Sequence, residues 1–173
     1  MDFTIKLKNG ENAVIHKFME QDKDQVSIMM ESLSSEATKW GIPPYSQDRL
    51  ETSWWSNLNR LIAIYATISG RVAGYAHIRI QTHSRRRGIG DYLIYLHQDF
   101  HNVGLGTAMT KYILGLAHNA GLHRVSLDVV ADNKNAIHVY NNVGFKIEGT
   151  QKDAFYGDDK KYHDEVFMGF VLQ

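Results

Sequence analysis

The chain of 173 residues lacks cysteine, which excludes disulfide bonds, thiolate metal sites and a cysteine nucleophile. It also lacks an excess of charge: 19 basic and 19 acidic side chains cancel, which argues against general binding to nucleic acid or to a membrane surface. No apolar run reaches the roughly 18 residues that a membrane span needs, and the polar segment Met1–Gly10 is not of the signal-peptide type. We therefore expect one soluble, cytoplasmic domain over residues 1–173.

Short apolar runs alternate with amphipathic runs along the chain. Helix patterns cover Asp22–Leu33, Asp48–Leu58, Thr107–Asn119 and Asn133–Asn142. Strand patterns cover Thr4–Leu7, Ala13–Phe18, Leu61–Ile68, Arg71–Ile80, Asp91–Gln98, Val125–Val130, Phe145–Gln151 and Glu165–Leu172. Mixed strands with helices between them predict an α/β or α+β fold with one central sheet of about six or seven strands.

A glycine turn, His101-Asn-Val-Gly104-Leu-Gly106-Thr107, lies between a predicted strand and a predicted helix. The N–H groups of such a turn point the same way, and the helix N-terminus adds roughly +0.5 of a charge. Gly104 and Gly106 leave room for a phosphate, which a side chain would block. The turn therefore predicts a site for the diphosphate of a nucleotide-type cofactor.

A second turn of similar spacing, Arg85-Arg-Arg-Gly-Ile-Gly90, carries three arginines. An aromatic and β-branched run follows it, so a strand comes next and no helix dipole points at this turn. We interpret it as an exposed hairpin turn, whose arginines still have the reach to meet the outer phosphate of a cofactor or an acidic partner. A Walker loop is excluded, because no Gly-x-x-x-x-Gly-Lys-Ser/Thr occurs.

The most specific motif is Asn133-Lys-Asn-Ala136-Ile-His-Val-Tyr140-Asn-Asn-Val-Gly144-Phe145. It resembles the second cofactor motif of the GNAT superfamily of N-acetyltransferases, Asn-x-x-Ala-x-x-x-Tyr-x-x-x-Gly-Phe, at every named position. The glycine turn is similar to the family's pyrophosphate motif, Gln/Arg-x-x-Gly-x-Gly/Ala, with His101 in the first position. The resemblance implies a mostly antiparallel sheet flanked by helices. It also implies acetyl-CoA as donor and a primary amine of a small molecule, an amino acid or a peptide N-terminus as acceptor.

The resemblance assigns three segments to acetyl-CoA. Val103–Thr107 would hold the diphosphate, and the strand end Leu96–Gln98 would pair with the pantetheine arm, with Asn133 on the other side. A backbone N–H near Leu96 would stabilise the oxyanion that forms from the thioester. The complete set of implied cofactor residues is Leu96, His97, Gln98, His101, Asn102, Val103, Gly104, Leu105, Gly106, Thr107, Asn133, Ala136 and Tyr140.

Tyr140 is the candidate catalytic acid. It follows Asn133 by two helical turns, so both side chains project from a similar face. Its phenol, with an ordinary pKa of about 10, can hydrogen-bond the departing CoA thiolate as well as protonate it, and packing beside the cofactor is its structural alternative. Asp91 is the candidate base, His97 is its rival on the same face of the strand, and a chain of waters is the third option.

Four aromatic residues are candidates for the acceptor pocket. In the family the acceptor lies against the first helices and the closing hairpin, a region that includes Trp40, Tyr45, Trp54 and Trp55 here. Trp54 and Trp55 have a structural alternative, which is to anchor a short helix to the sheet. We expect no metal site, because no helical His-x-x-x-His pair comes with a carboxylate.

Two other function classes stay open. A catalytically silent acyl-CoA-binding or sensing module would have the same fold, although Asn133 and Tyr140 favour the enzyme. A domain that binds NAD could use Asp128 for the ribose, but Met109 stands where the dinucleotide fingerprint needs a third small residue. Proteins of similar sequence also suggest a homodimer, formed through the sheet edge or the C-terminal hairpin.

Overall fold

Eight strands form one sheet in the structure, a computed structural model that describes residues 2–172. The strands are β1 (Phe3–Lys6), β2 (Asn12–Lys17), β3 (Leu61–Ile68), β4 (Arg71–Ile80), β5 (Ile89–Leu96), β6 (Arg124–Val130), β7 (Lys146–Tyr156) and β8 (Tyr162–Val171). The helices are α1 (Lys23–Glu31), α2 (Ser35–Thr38), α3 (Gln47–Ser53), α4 (Leu105–Asn119) and α5 (Lys134–Val143). Met1 and Gln173, the ends of the predicted domain, lie outside the described residues.

The strands lie in the order β1-β2-β3-β4-β5-β6-β8-β7, and only β5 and β6 pair in parallel. That parallel pairing is short, because Ile89–Asp91 pairs with Arg124–Ser126 and the ladder then stops. Both strands continue beyond it, β5 to Leu96 and β6 to Val130. They therefore part in the middle of the sheet and leave an opening that we call the β5–β6 gap.

The sheet separates two apolar clusters. One lies under α4 and α5 and includes Tyr92 and Met109. The other lies under α1 and α3 and includes Trp55 and Tyr75, with Tyr95 against it. Because side chains alternate along a strand, β5 contributes to both clusters. We call the two sides of the sheet the α4 face and the α1 face.

The predicted fold class is confirmed, with eight strands rather than about six or seven. The strand predicted at Asp91–Gln98 lies at Ile89–Leu96, because the His97 ring accepts the N–H of Asp99 and starts a 3-10 turn there. The helix predicted from Thr107 begins at Leu105, since Gly104 occupies the position before it with φ of 89°. The two glycines of the motif therefore lie at the start of the helix rather than ahead of it.

The other differences concern element ends. The helix predicted at Asp48–Leu58 is the shorter α3, and the one predicted at Asp22–Leu33 is α1, preceded by a 3-10 turn. The last two strands are longer than predicted because β7 and β8 continue past two register shifts into a tight hairpin. Within residues 2–172, none of the helices combines the length and the apolar character of a membrane span.

Candidate active site

Beyond Asp91, the β5–β6 gap leaves one side of β5 without a neighbouring strand among the described residues. His97 donates its N–H to Ala73 O on the β4 side at 2.9 Å, so alternate residues counted back from His97 bond to β4. Ile94 and Leu96 therefore direct their N–H and C=O groups toward the gap. An open strand edge of this kind can pair with an extended, amide-containing chain.

The glycine turn lies at the wide end of the gap. Gly104 has a left-handed φ of 89° and precedes α4, a helix of 15 residues, and Asn102 is also left-handed with φ of 62°. Successive N–H groups in such a turn form a concave anion site that the helix dipole reinforces. A Cβ added to Gly106 would come within 3.2 Å of the Leu96 side chain. Glycine there lets the helix start approach the strand end closely.

Lys8 adds a cation to the glycine turn. Its backbone N–H donates to Val103 O at 3.0 Å, which fastens the β1–β2 turn to the glycine turn. Its side-chain carbons would lie 3.6–3.8 Å from a Cβ placed on Gly104. The exposed ammonium group of Lys8 therefore lies beside the site where the anion is expected.

Three predicted cofactor residues make local contacts instead. The exposed His101 ring donates from Nε2 to Leu96 O at 3.1 Å, so it folds back onto the strand end. His97 is buried, and Gln98 accepts the N–H of Ser34 at 3.0 Å and donates to Ser32 O. These side chains hold the strand end and the segment after α1 in place.

The second motif supplies the helix on the other side of the gap. Asn133 caps α5, since its side chain accepts the N–H of Ala136 at 3.3 Å. The ring of Tyr140 packs edge-on to Tyr92 and against Phe145, at centroid distances of 6.2 and 5.8 Å. This places Tyr140 on the α4 face of β5, where the gap opens.

The pKa of Tyr140 depends on burial and on a carboxylate at the β6 side of the gap. Burial and the Asp128 carboxylate both raise the pKa of Tyr140, so its phenol stays protonated at any physiological pH. Asp128 lies on β6, shortly after Ser126, the last residue of β6 that pairs with β5. Its side chain is on the α1 face. Burial and the Asp128 carboxylate also raise the pKa of Glu165. Glu165 lies on β8, where it pairs with Val130 of β6. Asp128 thus lies on the strand that borders the gap across from β5, and Glu165 lies one strand farther away, on β8.

Asp91 lies at the vertex of the gap. It is the last residue of β5 that pairs with β6, opposite Ser126, and its side chain is exposed on the α1 face. Gln81 donates a side-chain hydrogen bond to its carboxylate. The candidate base therefore stands within the strand rather than at its start.

The structure assigns different surroundings to the two adjacent tryptophans. Trp55 is 2 % exposed and donates its indole N–H to Tyr75 Oη at 3.0 Å, so it belongs to the core. Trp54 is half-buried and stacks on Tyr95 at 5.8 Å. Tyr45 is buried, and its hydroxyl hydrogen-bonds that of Tyr95. Trp54, Tyr45 and Tyr95 together line a cleft on the α1 face.

Trp40 lies apart from that cleft and contacts the C-terminal hairpin. Its ring meets Phe155 and His163 edge-on. His163 bonds Asp132 at 2.6 Å and Asp159 at 3.0 Å, and these carboxylates raise its pKa. This cluster joins the hairpin to the loop directly before Asn133.

The arginine-rich turn precedes β5, whereas the glycine turn follows it. Its residues Ser84–Arg86 form a 3-10 turn, and β5 follows directly, as the sequence predicts. The turn is thus at the opposite end of β5 from Gly104.

Comparisons with known proteins agree with this geometry. The profile of the Acetyltransferase (GNAT) family matches residues 27–145. The chain belongs to the GNAT family. It is 30 % identical over 129 residues to the L-amino acid N-acetyltransferase AaaT of Escherichia coli K12, covering 74 % of this chain and 79 % of that protein.

GNAT structures share the fold over nearly the whole chain. An acetyltransferase of the family from Streptococcus pneumoniae superposes with a TM-score of 0.79 at 23 % identity, over 92 % of this chain and 99 % of that one. The acetyltransferase yncA of Salmonella typhimurium, solved with acetyl-CoA, gives 0.77 at 16 % identity over 93 % and 94 %. The prediction of an acetyl-CoA-dependent GNAT acyltransferase is confirmed.

Sequence reasoning missed Lys8, Arg49 and Glu165. Lys8 follows β1, Arg49 lies in α3 and also lines the cleft, and Glu165 lies in β8. No motif contains these residues, and only pairing of distant segments brings them to the gap or its two ends. One local signal exists: Lys8 directly precedes Asn9-Gly10, a residue pair that is typical of hairpin turns.

Proposed function

We propose that this GNAT protein transfers the acetyl group of acetyl-CoA to a primary amine by direct attack in a ternary complex. The acceptor class comprises small amines, amino acids and peptide or protein N-termini, and the similarity to an L-amino acid N-acetyltransferase favours an amino acid. The observation that carries the proposal is the β5–β6 gap. It has an anion site at its wide end, an open strand edge along it and carboxylates on the α1 face.

The residues present fit acetyl-CoA. The N–H groups of Val103–Thr107 would bind the diphosphate, and the ammonium of Lys8 would add charge there. The open edge of β5 at Ile94 and Leu96 would bind the pantetheine amides, with Asn133 on the far side of the gap. Acetyl-CoA supplies the thioester carbonyl carbon that the amine attacks, and a backbone N–H of the same edge would donate to the oxyanion.

Tyr140 would donate a hydrogen bond to the leaving sulfur. Its hydroxyl makes no hydrogen bond within residues 2–172, and its raised pKa keeps the proton in place. A CoA thiol has an ordinary pKa near 8.5, so complete transfer from so weak an acid is unfavourable. We therefore assign Tyr140 to stabilisation of the thiolate by hydrogen bonding.

A carboxylate on the α1 face would accept the proton of the amine. Asp91 stands at the vertex of the gap, and Gln81 donates a hydrogen bond to its carboxylate. Glu165 has a raised pKa, which brings it closer to that of an effective base at neutral pH. Both are candidates, and pH profiles of Asp91→Asn and Glu165→Gln separate them, because a variant that keeps the wild-type profile excludes its residue as the base.

A panel of amines tests the function. The protein is mixed with acetyl-CoA and each amine, and released CoA is measured with a thiol reagent. The chain has no cysteine, so it gives no background thiol signal. We expect one amine class to stimulate release. Binding of CoA without stimulation by any amine would favour the silent acyl-CoA-binding module, and binding of NAD without CoA would contradict the assignment.

Tyr140→Phe tests the chemistry in the same assay. Loss of one preorganised donor to the leaving group should lower kcat about 100-fold. The dissociation constant of CoA should change little, since the ring that packs on Tyr92 and Phe145 stays. Unchanged turnover would remove Tyr140 from the mechanism.

A further inference from the structure

A cleft on the α1 face opens beside the part of β5 that has left β6. It has a volume of about 140 Å³. Two of its lining residues, Leu93 and Tyr95, follow the last β5–β6 pair at Asp91. The cleft therefore adjoins the gap from the face opposite α4. Its other lining residues are Ile42, Tyr45, Arg49, Leu50, Ser53 and Trp54.

The lining is aromatic and apolar, with one cation. Tyr45, Trp54 and Tyr95 supply the walls, and Leu50 and Leu93 add aliphatic surface. Such a lining suits an apolar side chain of modest size. A charged residue in these surroundings needs a reason, because an unpaired charge near an apolar wall loses solvation.

Arg49 is that cation, and it has no carboxylate partner within residues 2–172. It donates one long hydrogen bond there, 3.4 Å from Nη1 to Pro43 O. Arg49 lines the cleft together with Tyr45, so its side chain lies at the aromatic wall. Most guanidinium donors are therefore available to a ligand. A guanidinium fork matches a carboxylate in geometry and charge.

Arg79 on the same face differs in this respect. It donates from Nη2 to Ser53 O at 2.8 Å, so it fastens α3 to the sheet. A larger cavity of about 360 Å³ lies between Lys39–Pro43 and the C-terminal hairpin, but β5 and β6 contribute nothing to its lining. Of these features, only the cleft of Arg49 adjoins the gap.

We infer that Arg49 binds the carboxylate of the acceptor, and that the acceptor is a free α-amino acid with an apolar side chain. The side chain would lie against Trp54 and Tyr95, and the amine would point into the gap. This inference rests on the proposed function and names the substrate class for it. A peptide N-terminus would lack the carboxylate at that distance from the amine.

Three ligands that differ in a single group test the inference. L-phenylalanine, L-phenylalaninamide and phenethylamine present the same ring and amine with a carboxylate, an amide or neither. CoA release is measured for the wild type, Arg49→Gln, Arg49→Lys and the control Arg60→Gln, an exposed arginine outside the cleft. Binding of the same ligands to the CoA-loaded protein is measured by calorimetry.

We expect the wild type to prefer the acid over both analogues. Arg49→Gln should raise KM for the acid on the order of 10- to 100-fold and leave KM for the amide unchanged, because only a charge-assisted pair is lost. Arg49→Lys should recover part of the loss, and Arg60→Gln should match the wild type.

Other outcomes separate the two claims. Equal turnover of acid and amide by the wild type would overturn the inference and leave the acetyltransferase intact. An acid preference that survives in Arg49→Gln would overturn the role of Arg49. Carboxylate-dependent binding that Arg49→Gln abolishes, without turnover of any ligand, would support Arg49 as the carboxylate site and contradict the proposed function.

Discussion

The two ends of the β5–β6 gap are built from different materials. One end, where we propose that the cofactor binds, is called the cofactor end. It consists of backbone N–H groups in one continuous turn, His101–Thr107, and of a helix start. The other, where we propose that the acceptor binds, is called the acceptor end, and its side chains come from separate segments, among them Arg49 in α3, Trp54 just after it and Tyr95 in β5. A site made of backbone binds what every member of a family shares, whereas a site made of side chains can change its ligand by substitution. The donor can therefore be inferred from the backbone turn, whereas the acceptor has to be inferred from the side chains of the cleft.

The largest effect should come from breaking the backbone site. Gly104→Val places a β-branched residue at a left-handed φ of 89°, so the turn must change and its N–H groups lose their common direction. Loss of about two charge-assisted hydrogen bonds should weaken CoA binding about 100-fold. Calorimetric titration with CoA measures it.

Gly70→Val is the matched control for that change. Gly70 also has a left-handed φ, of 78°, but it lies in the β3–β4 turn with open space around it. Both variants should lose similar thermal stability, and only Gly104→Val should lose CoA. Equal CoA affinity in the two variants would mean that the cofactor end does not depend on its backbone.

A smaller effect should come from the Lys8 ammonium beside the glycine turn. Lys8→Gln should weaken CoA binding about fivefold at low salt and less at high salt, because its ammonium acts on the diphosphate through solvent. Lys6→Gln is the control, since Lys6 is an exposed lysine at the end of β1, two residues before Lys8. Calorimetry at two ionic strengths provides the comparison.

His101→Gln completes that test. The His101 ring bonds Leu96 O rather than the turn, so this change should affect CoA binding less than Lys8→Gln does. A pH dependence of CoA affinity between pH 5.5 and 8 that disappears in His101→Gln would instead show that the imidazole contributes charge.

The smallest effect concerns the contact that joins the C-terminal hairpin to the loop before Asn133. Asp159 and Asp132 raise the pKa of His163 above its ordinary value of about 6.5. A raised histidine pKa stabilises the fold fully below the unfolded value, and this contribution is lost as the pH rises through the folded pKa. NMR titration of the His163 ring should show the pKa falling toward 6.5 in Asp159→Asn, and further with Asp132→Asn added.

An unchanged titration in both variants would show that the hairpin is not tied to the Asn133 loop in this way. Lys152→Gln serves as the control, because Lys152 pairs with Asp164 and does not touch the imidazole. Its effect on the His163 titration should be slight.

The sequence predicted the secondary structure around the glycine turn and the second motif well, because these features are local. A strand, two glycines and a helix follow one another directly, and Asn133 to Phe145 lies within a single helix and its end. Local order also explains the errors. The helix starts at Leu105 rather than Thr107 because the left-handed Gly104 caps it, a conformation that residue type permits but does not require.

The acceptor end could not be predicted to the same depth. Trp54 and Trp55 are neighbours in sequence, and the sequence does not show which of them lies in the core and which lines the cleft. The direction of the chain at the end of α3 determines this. In the sequence, nothing distinguishes Arg49 from any surface arginine. That it has no carboxylate partner within residues 2–172 depends on the packing of α3, the Pro43 loop and β5. Long-range packing decides such matters, and a pattern of residue types does not contain it.

The sequence alone therefore determined the fold class, the family and the position of the glycine turn at the start of a helix, because each depends on residues that are close along the chain. The tertiary structure alone decided which charges meet at the gap: Lys8 beside Gly104, Asp128 near Tyr140 and Arg49 in the aromatic cleft. The physical reason is that hydrogen bonds of a turn act over a few residues of chain, whereas a binding pocket is closed by segments that only the pairing of strands brings together.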